Sequence, residues 1–403
     1  MKKGALAIVA GLYLLSACTQ DYFTPYPNSG EKSPERTVVE GIGYEKVLIL
    51  YLEGYNNLSL DIMRNIDEFS KGYIPKKSDK QAVVVYAHNS VSKLDWHTKT
   101  EPVIYRMYTH YDEVVKDTLY RFPAEEAALN PETMRKALSF IKQKFPTSSY
   151  GMLFSSHASG WIPKEYTVNS EGSPFSIGAE YDNSGPKTVE YNLNVEEFAA
   201  ALPMHLDYII FDCCLMGGVE TNYSLRKCCD QIVAAPTEVL SEGFDYYGMG
   251  DRLLREGEPD LMGVCEDFYN KCAKDSYATV ALYDCGYMEE LAEKCAAIFA
   301  SHPNEVLNVN EKSVQSYNFS FNYHYDFRDI IAKMGASAEE LDRLDECLEK
   351  VVIYKKATPK FFYVTINPET YSGMSMYLPR KGWDELNEYY LNTEWNKATG
   401  LLR

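Results

Sequence analysis

Tyr150-Gly-Met-Leu-Phe-Ser-Ser-His-Ala-Ser-Gly-Trp161 and Tyr208-Ile-Ile-Phe-Asp-Cys-Cys-Leu-Met-Gly-Gly-Val-Glu220 decide the fold. Each opens with a short apolar run of the length of a buried strand. Each then delivers a reactive side chain where the strand should end, the imidazole of His157 in one and the thiol of Cys214 in the other. Near-continuous apolar strands belong to parallel sheets covered by helices on both faces. In such sheets ligands and chemistry gather at the carboxyl ends of the strands. An imidazole and a thiol at two such ends are the parts a cysteine hydrolase needs.

Outward from these two strands the alternation continues. Residues 46–52 read as a strand and 58–70 as the helix after it; 81–88 form a second strand, and 103–110 with 117–121 an edge hairpin. Asn130-Pro131 opens a helix to about residue 144, an N-cap followed by proline at the first helical position. Met134, Leu138, Ile141 and Phe145 fall at helical spacing along it. Residues 162–187 are polar and rich in Gly, Ser and Pro, and read as a loop. Asn194 caps a short helix to 202. Beyond Cys214 come a helix over 218–230, a strand at 231–235, a helix at 261–273, a strand at 277–283 and a helix at 288–300. This succession predicts an α/β doubly wound, mostly parallel sheet with helices on both faces. A helix at 338–351 and strands at 361–366 and 373–378 add C-terminal α/β elements. Residues 44–300 are read as the catalytic domain and 301–403 as an extension packed on it.

The amino terminus carries a different message. Met1-Lys-Lys, the apolar run 5–15 and Leu15-Ser-Ala-Cys18 describe a secretory signal over 1–17, too short to span a membrane. Cys18 resembles the lipid-bearing residue of a bacterial lipobox, and 18–43 read as a linker. The chain is therefore expected to be exported and lipid-anchored to the bacterial cell envelope, at the periplasmic or surface face of the outer membrane. A formal charge of −18 repels nucleic acid and anionic headgroups. Of ten cysteines, those other than Cys18 and Cys214 read mostly as core thiols. The adjacent pairs Cys213-Cys214 and Cys228-Cys229 point to opposite faces of a strand, which disfavours a shared metal ion.

Ser155-Ser-His-Ala-Ser-Gly-Trp161 resembles the His-Gly-x-Gly-Trp block of the clostripain family of cysteine peptidases, relatives of caspases and gingipains. Phe211-Asp-Cys-Cys-Leu-Met216 resembles the family's Phe-Asp-Ala-Cys-Leu-Met block. Glu180-Tyr-Asp, Leu193, Glu197, the segment 235–244, Gly373-Met-Ser-Met-Tyr-Leu-Pro379 and Trp395 follow the same pattern. The resemblance implies a caspase-like fold with Cys214 as nucleophile and His157 as base and then acid. It implies an oxyanion hole from the backbone N–H groups of Cys214 and Ala158, and a first pocket lined by Asp212 and Glu242. Carboxylates there select a cationic guest, so cleavage after Arg or Lys is expected. A helix starting near Met216 would put its positive end beside the Cys214 sulfur and favour the thiolate.

Two positions depart from the family pattern. Ala158 replaces a glycine, which matters if the backbone there needs positive φ. Tyr55, in Glu53-Gly-Tyr-Asn-Asn57, replaces an aspartate. Some relatives cut themselves after a basic residue, for which Lys164 and Lys187 are candidates. Some need calcium; no EF-hand spacing is present and no cofactor or metal ligand set is read. The expected function is a monomeric cysteine endopeptidase acting on peptides with basic residues through a Cys–His dyad and a thioester. A second reading, favoured by Ala158, Tyr55 and the 33 tyrosines, is an inactive caspase-like lipoprotein that binds surface ligands or glycans.

Overall fold

The structure, a computed structural model, describes residues 34–37, 43–91, 98–125, 129–166, 176–182, 189–275, 277–317 and 323–403. The signal segment, Cys18 and Lys187 lie outside the described residues. The chain runs β1 Lys46–Gly54, α1 Ser59–Lys71, β2 Gln81–Asn89, β3 Val103–His110, β4 Glu113–Arg121, α2 Pro131–Lys144 and β5 Tyr150–Ser155. It continues through β6 Ile177–Asp182, β7 Val189–Leu193, α3 Val195–Ala201, β8 Leu206–Asp212, α4 Val219–Leu225, β9 Cys229–Ala234, α5 Tyr246–Leu254 and α6 Leu261–Cys272. The remainder holds β10 Thr279–Asp284, α7 Met288–Ser301, β11 Tyr325–Asp326, α8 Phe327–Lys333, α9 Ala338–Val351 and β12 Val352–Ala357.

Nine strands form one sheet in the order β12-β10-β9-β8-β5-β1-β2-β3-β4. Its centre, β9-β8-β5-β1-β2, is parallel throughout. Antiparallel strands close both sides. Within β1 the two-residue period divides the core. Val47, Ile49 and Tyr51 face the layer of α2, α3, α4, α7 and α9, and Leu48, Leu50 and Leu52 face α1, α5 and α6. Each of these leucines is fully buried, which stabilises the fold by about 1.5–3 kcal/mol per side chain.

Three segments differ from expectation. The loop read over 162–187 contains β6, which pairs with β7 as a separate hairpin. Residues 226–230 do not continue α4, because Leu206 N–H bonds Cys228 O at 2.9 Å and draws the chain into β9. The strands read at 361–366 and 373–378 shrink to two-residue pairings, while β12 joins the main sheet beside β10.

Candidate active site

Ser155 and Asp212 end β5 and β8 as register partners. His157 and Cys214 each lie two residues beyond. Both line one cavity, together with Leu58, Asp61, Ile62 and Asn65 on one flank and Val239 to Ser241 on the other.

His157 is oriented from the turn after β1. Its Nε2 lies 2.6 Å from Asn57 Oδ1. An amide oxygen only accepts, so Nε2 carries the proton and Nδ1 keeps the lone pair a base requires. That turn is bolted by the buried Asn56, which donates to Glu53 O at 3.0 Å and Ala179 O at 2.7 Å and accepts from Leu58 N–H at 2.8 Å. Burial lowers the His157 pKa to about 4, so the imidazole rests neutral at pH 7.

Cys214 is engaged by the backbone of Val239, whose N–H donates to Sγ at 3.4 Å and whose carbonyl accepts from the thiol at 3.6 Å. Burial raises the thiol to about 12, opposed by the Val239 N–H and assisted by Glu238 and Asp212. The thiol and the imidazole therefore both rest neutral at pH 7. The expected helix at Met216 starts instead at Val219, after Gly218. Its positive end is thus several residues from Cys214, and the sulfur is not placed on its first turn. Leu215 adopts a left-handed φ of 62°, a conformation costing a non-glycine residue about 1–2 kcal/mol. It is held by Leu215 N–H bonding Thr237 O at 2.8 Å. Gly160 answers it from the His157 loop: its φ is +72°, and a Cβ there would come within 2.6 Å of Leu215 O.

Ala158 does not have positive φ. It forms an antiparallel bridge with Ile177 through Gly178 N–H to His157 O at 2.7 Å and Ser159 N–H to Ser176 O at 3.2 Å. The Ala158 N–H takes no part in that bridge. Alanine is therefore compatible with the backbone here, and the glycine requirement falls two residues later.

Asp212 is buried beside Cys214. Its Oδ2 accepts from Tyr246 OH at 2.6 Å and from Ser155 Oγ at 3.2 Å. Burial raises its pKa, against the Tyr246 hydroxyl, Lys271, Ser155 and the Phe244 N–H. Gly243, at φ +58°, lets the backbone pass, since a Cβ would sit 2.5 Å from the carboxylate. Glu242 is exposed and does not line the cavity. The second carboxylate there is Asp61, buried on α1 and 3.2 Å from Arg64. Asn57 and Asp61 are the site residues that sequence reading missed. The signal for Asp61 was the one-face spacing of Leu58, Asp61, Ile62 and Asn65, whereas Asn57 stood in the stretch quoted for Tyr55 with nothing to mark it. Lys164 donates to both oxygens of Glu197 at 2.7 Å.

The Cys214 loop is clamped from the far end of the chain. Ser375 N–H bonds Gly217 O at 3.0 Å, Tyr377 N–H bonds Glu220 Oε1 at 2.8 Å, and Tyr283 OH reaches Gly373 O at 2.6 Å. Among the described residues one set of side chains has donor atoms close enough to share a metal ion: Glu53, His88 and Glu180, mutually within 4.8 Å. An imidazole nitrogen among so few donors does not suit calcium, which takes six to eight oxygens.

The profile of the Clostripain family matches residues 50–398. Clostripain of Hathewaya histolytica is 22% identical over 243 residues, 53% of this chain and 43% of that protein, so the match spans less than half the relative's length. The fold is similar to an inactive zymogen C11 protease from Parabacteroides distasonis, with TM-score 0.75, 24% identity and coverage of 90% of this chain and 99% of that one. It is similar also to a secreted C11 cysteine protease from Bacteroides thetaiotaomicron in complex with an irreversible peptide inhibitor, with TM-score 0.72, 21% identity and coverage of 88% and 98%.

Proposed function

Because the chain belongs to the clostripain family, we propose that it is a cysteine endopeptidase cleaving after Arg or Lys, with Cys214 as nucleophile and His157 as general base. The observation that carries this reading is the single cavity shared by Cys214, His157, Asp212 and Asp61. A cationic side chain entering it offsets the desolvation of the buried Asp212, while Asp61 already pairs with Arg64. Glu242, exposed on the rim loop, fits a role in meeting substrate outside the cavity.

In the forward reaction the thiol proton passes to His157 Nδ1 while sulfur attacks the scissile carbonyl carbon. The Ala158 and Cys214 N–H groups are suited to receive the oxyanion. Collapse breaks the C–N bond, the imidazolium returns its proton to the leaving amine, and a thioester remains on Cys214. Water, deprotonated by the same imidazole, then attacks the thioester carbon; the C–S bond breaks, the acid leaves and the imidazolium returns its proton to the Cys214 sulfur. Peptide must first displace Val239 from the thiol, so the described conformation is a resting one. A zymogen state is known by name for one structural neighbour. Exposure of the Val239 contact, and not cleavage after the ion-paired Lys164, is the activation step this site favours. The lipid anchor at Cys18, the envelope location and a monomeric state belong to the same proposal.

The test is turnover of fluorogenic peptides ending in Arg, Lys, Asp or Ala by the protein and by Cys214→Ala. Arg and Lys peptides should be cleaved by the first and not measurably by the second. Cleavage confined to Asp or Ala peptides would overturn the assigned pocket. No cleavage together with slow alkylation of Cys214 would favour the ligand-binding reading.

A further inference from the structure

On the opposite face of the sheet from Asp212, Glu53 and His88 are register partners in the parallel pair β1-β2. Their side chains therefore emerge side by side, and β6 adds Glu180 against them. His88 Nδ1 lies 2.5 Å from Glu180 Oε1, and all three residues are at least 96% buried, with exposures of 0% for Glu53, 4% for His88 and 1% for Glu180.

Three details mark this group as a cation site. The other ring nitrogen, Nε2, lies 3.2 Å from Thr100 O. A carbonyl only accepts, so Nε2 carries a proton and in the neutral ring Nδ1 presents a lone pair to the carboxylate. Two acceptors at that separation share a proton, or move apart to about 3 Å when a metal ion bound at about 2.0–2.2 Å to each takes its place. Second, neither carboxylate oxygen of Glu53 has a hydrogen-bond donor at bonding geometry, although Glu180 and the Tyr51 hydroxyl are neighbours. A fully buried carboxylate without donors or counter-charge is strongly disfavoured. Third, the ring is held as metal-bound imidazoles are held. Tyr55 stacks on His88 at 4.6 Å and 5°, and the Leu129 N–H fixes Glu180 Oε2 at 3.1 Å. A cavity whose lining includes His88, Glu180, Glu125 and Asp182 supplies an approach bearing acidic groups.

We propose that Glu53, His88 and Glu180 bind one divalent first-row transition ion, manganese or zinc, as a structural site behind the catalytic turn. One nitrogen and two carboxylates match the donor preference of these ions and balance two buried negative charges. Glu53 lies three residues before Asn56, whose amide bonds the Glu53 carbonyl. The ion thus braces the turn that presents Asn57 to His157. Sequence spacing hid the site, since its parts come from two strands of the sheet and a distant hairpin.

Manganese(II) is the probe, because the many thiols would hold zinc unspecifically. EDTA-stripped protein, Glu53→Gln and His88→Gln are titrated with manganese chloride, and bound ion is counted by electron paramagnetic resonance while Tm is recorded. The expected result is one tightly bound ion per wild-type chain, a Tm rise on the order of 5 °C at saturating metal, and loss of both in each variant. Binding that persists in both variants overturns the assignment. So does a wild-type chain with no bound manganese and an unmoved Tm, which would mean that protons fill the cluster. Should a variant fail to fold, the wild-type count and Tm still decide.

Discussion

Asp212 and Glu53 stand near the carboxyl ends of strands two places apart, on opposite faces of one sheet, and both are buried. Asp212 receives two hydroxyls and the Phe244 N–H. Glu53 receives no donor at bonding geometry. Glu220, under the Cys214 loop, falls between them with one backbone donor, Tyr377 N–H, and an unpaired second oxygen. The pKa of Asp212 is raised, that of Glu220 is raised to about 7 and that of Glu53 well above its usual range, in each case chiefly by burial. Hydrogen bonds to a carboxylate favour its charged form, so donor supply decides which buried acid remains a permanent charge. Asp212 is furnished with donors that favour its charged form beside Cys214. Glu53 is left to acquire a cation.

The largest effect that bears on this contrast is on specificity. Asp212→Ala should lower kcat/KM for Arg and Lys peptides by about 100-fold or more, the scale of losing one partner of a buried charge pair. The alkylation rate of Cys214 should fall little. Unchanged selectivity would remove Asp212 from the pocket and break the contrast.

Glu220 sharpens it through pH. The folded chain holds this proton more tightly than the unfolded chain, whose value is about 4.5. The resulting stabilisation is complete below about pH 4.5 and is lost as pH rises through about 7. Glu220→Gln should therefore differ from the parent by a margin that changes by about 3 kcal/mol between pH 4 and pH 8. Denaturant titrations at the two pH values give that number, and a margin independent of pH would refute the assignment. The smallest effect is at Tyr246→Phe, which withdraws one donor from Asp212. It should destabilise the protein by about 1–3 kcal/mol, read from the midpoint of unfolding at pH 7; no change would mean that the donor count does not set the charge.

The parallel strands were legible because each is an uninterrupted apolar run, and α2 because Asn130 does cap it, accepting from Thr133 N–H at 2.8 Å. Other elements left weaker traces. β12, Val-Ile-Tyr-Lys-Lys-Ala, is an edge strand with partly exposed residues, so its lysines masked it. The β6-β7 hairpin sits inside a polar stretch and is recognised by what it packs against. That His157 and Cys214 would meet at one cavity could be read from their strand-end positions. Asn57, Asp61 and the His88 cluster could not, because each acts through partners that only the folded sheet brings near.

The clamp on Gly217 and Glu220 by Ser375 and Tyr377 gives the chain a direction in time. During synthesis the strands bearing His157 and Cys214 emerge early, while the segment that pins the Cys214 loop is translated more than 150 codons later. The loop that bears Cys214 is thus secured only by residues added when nearly the whole polypeptide has been made.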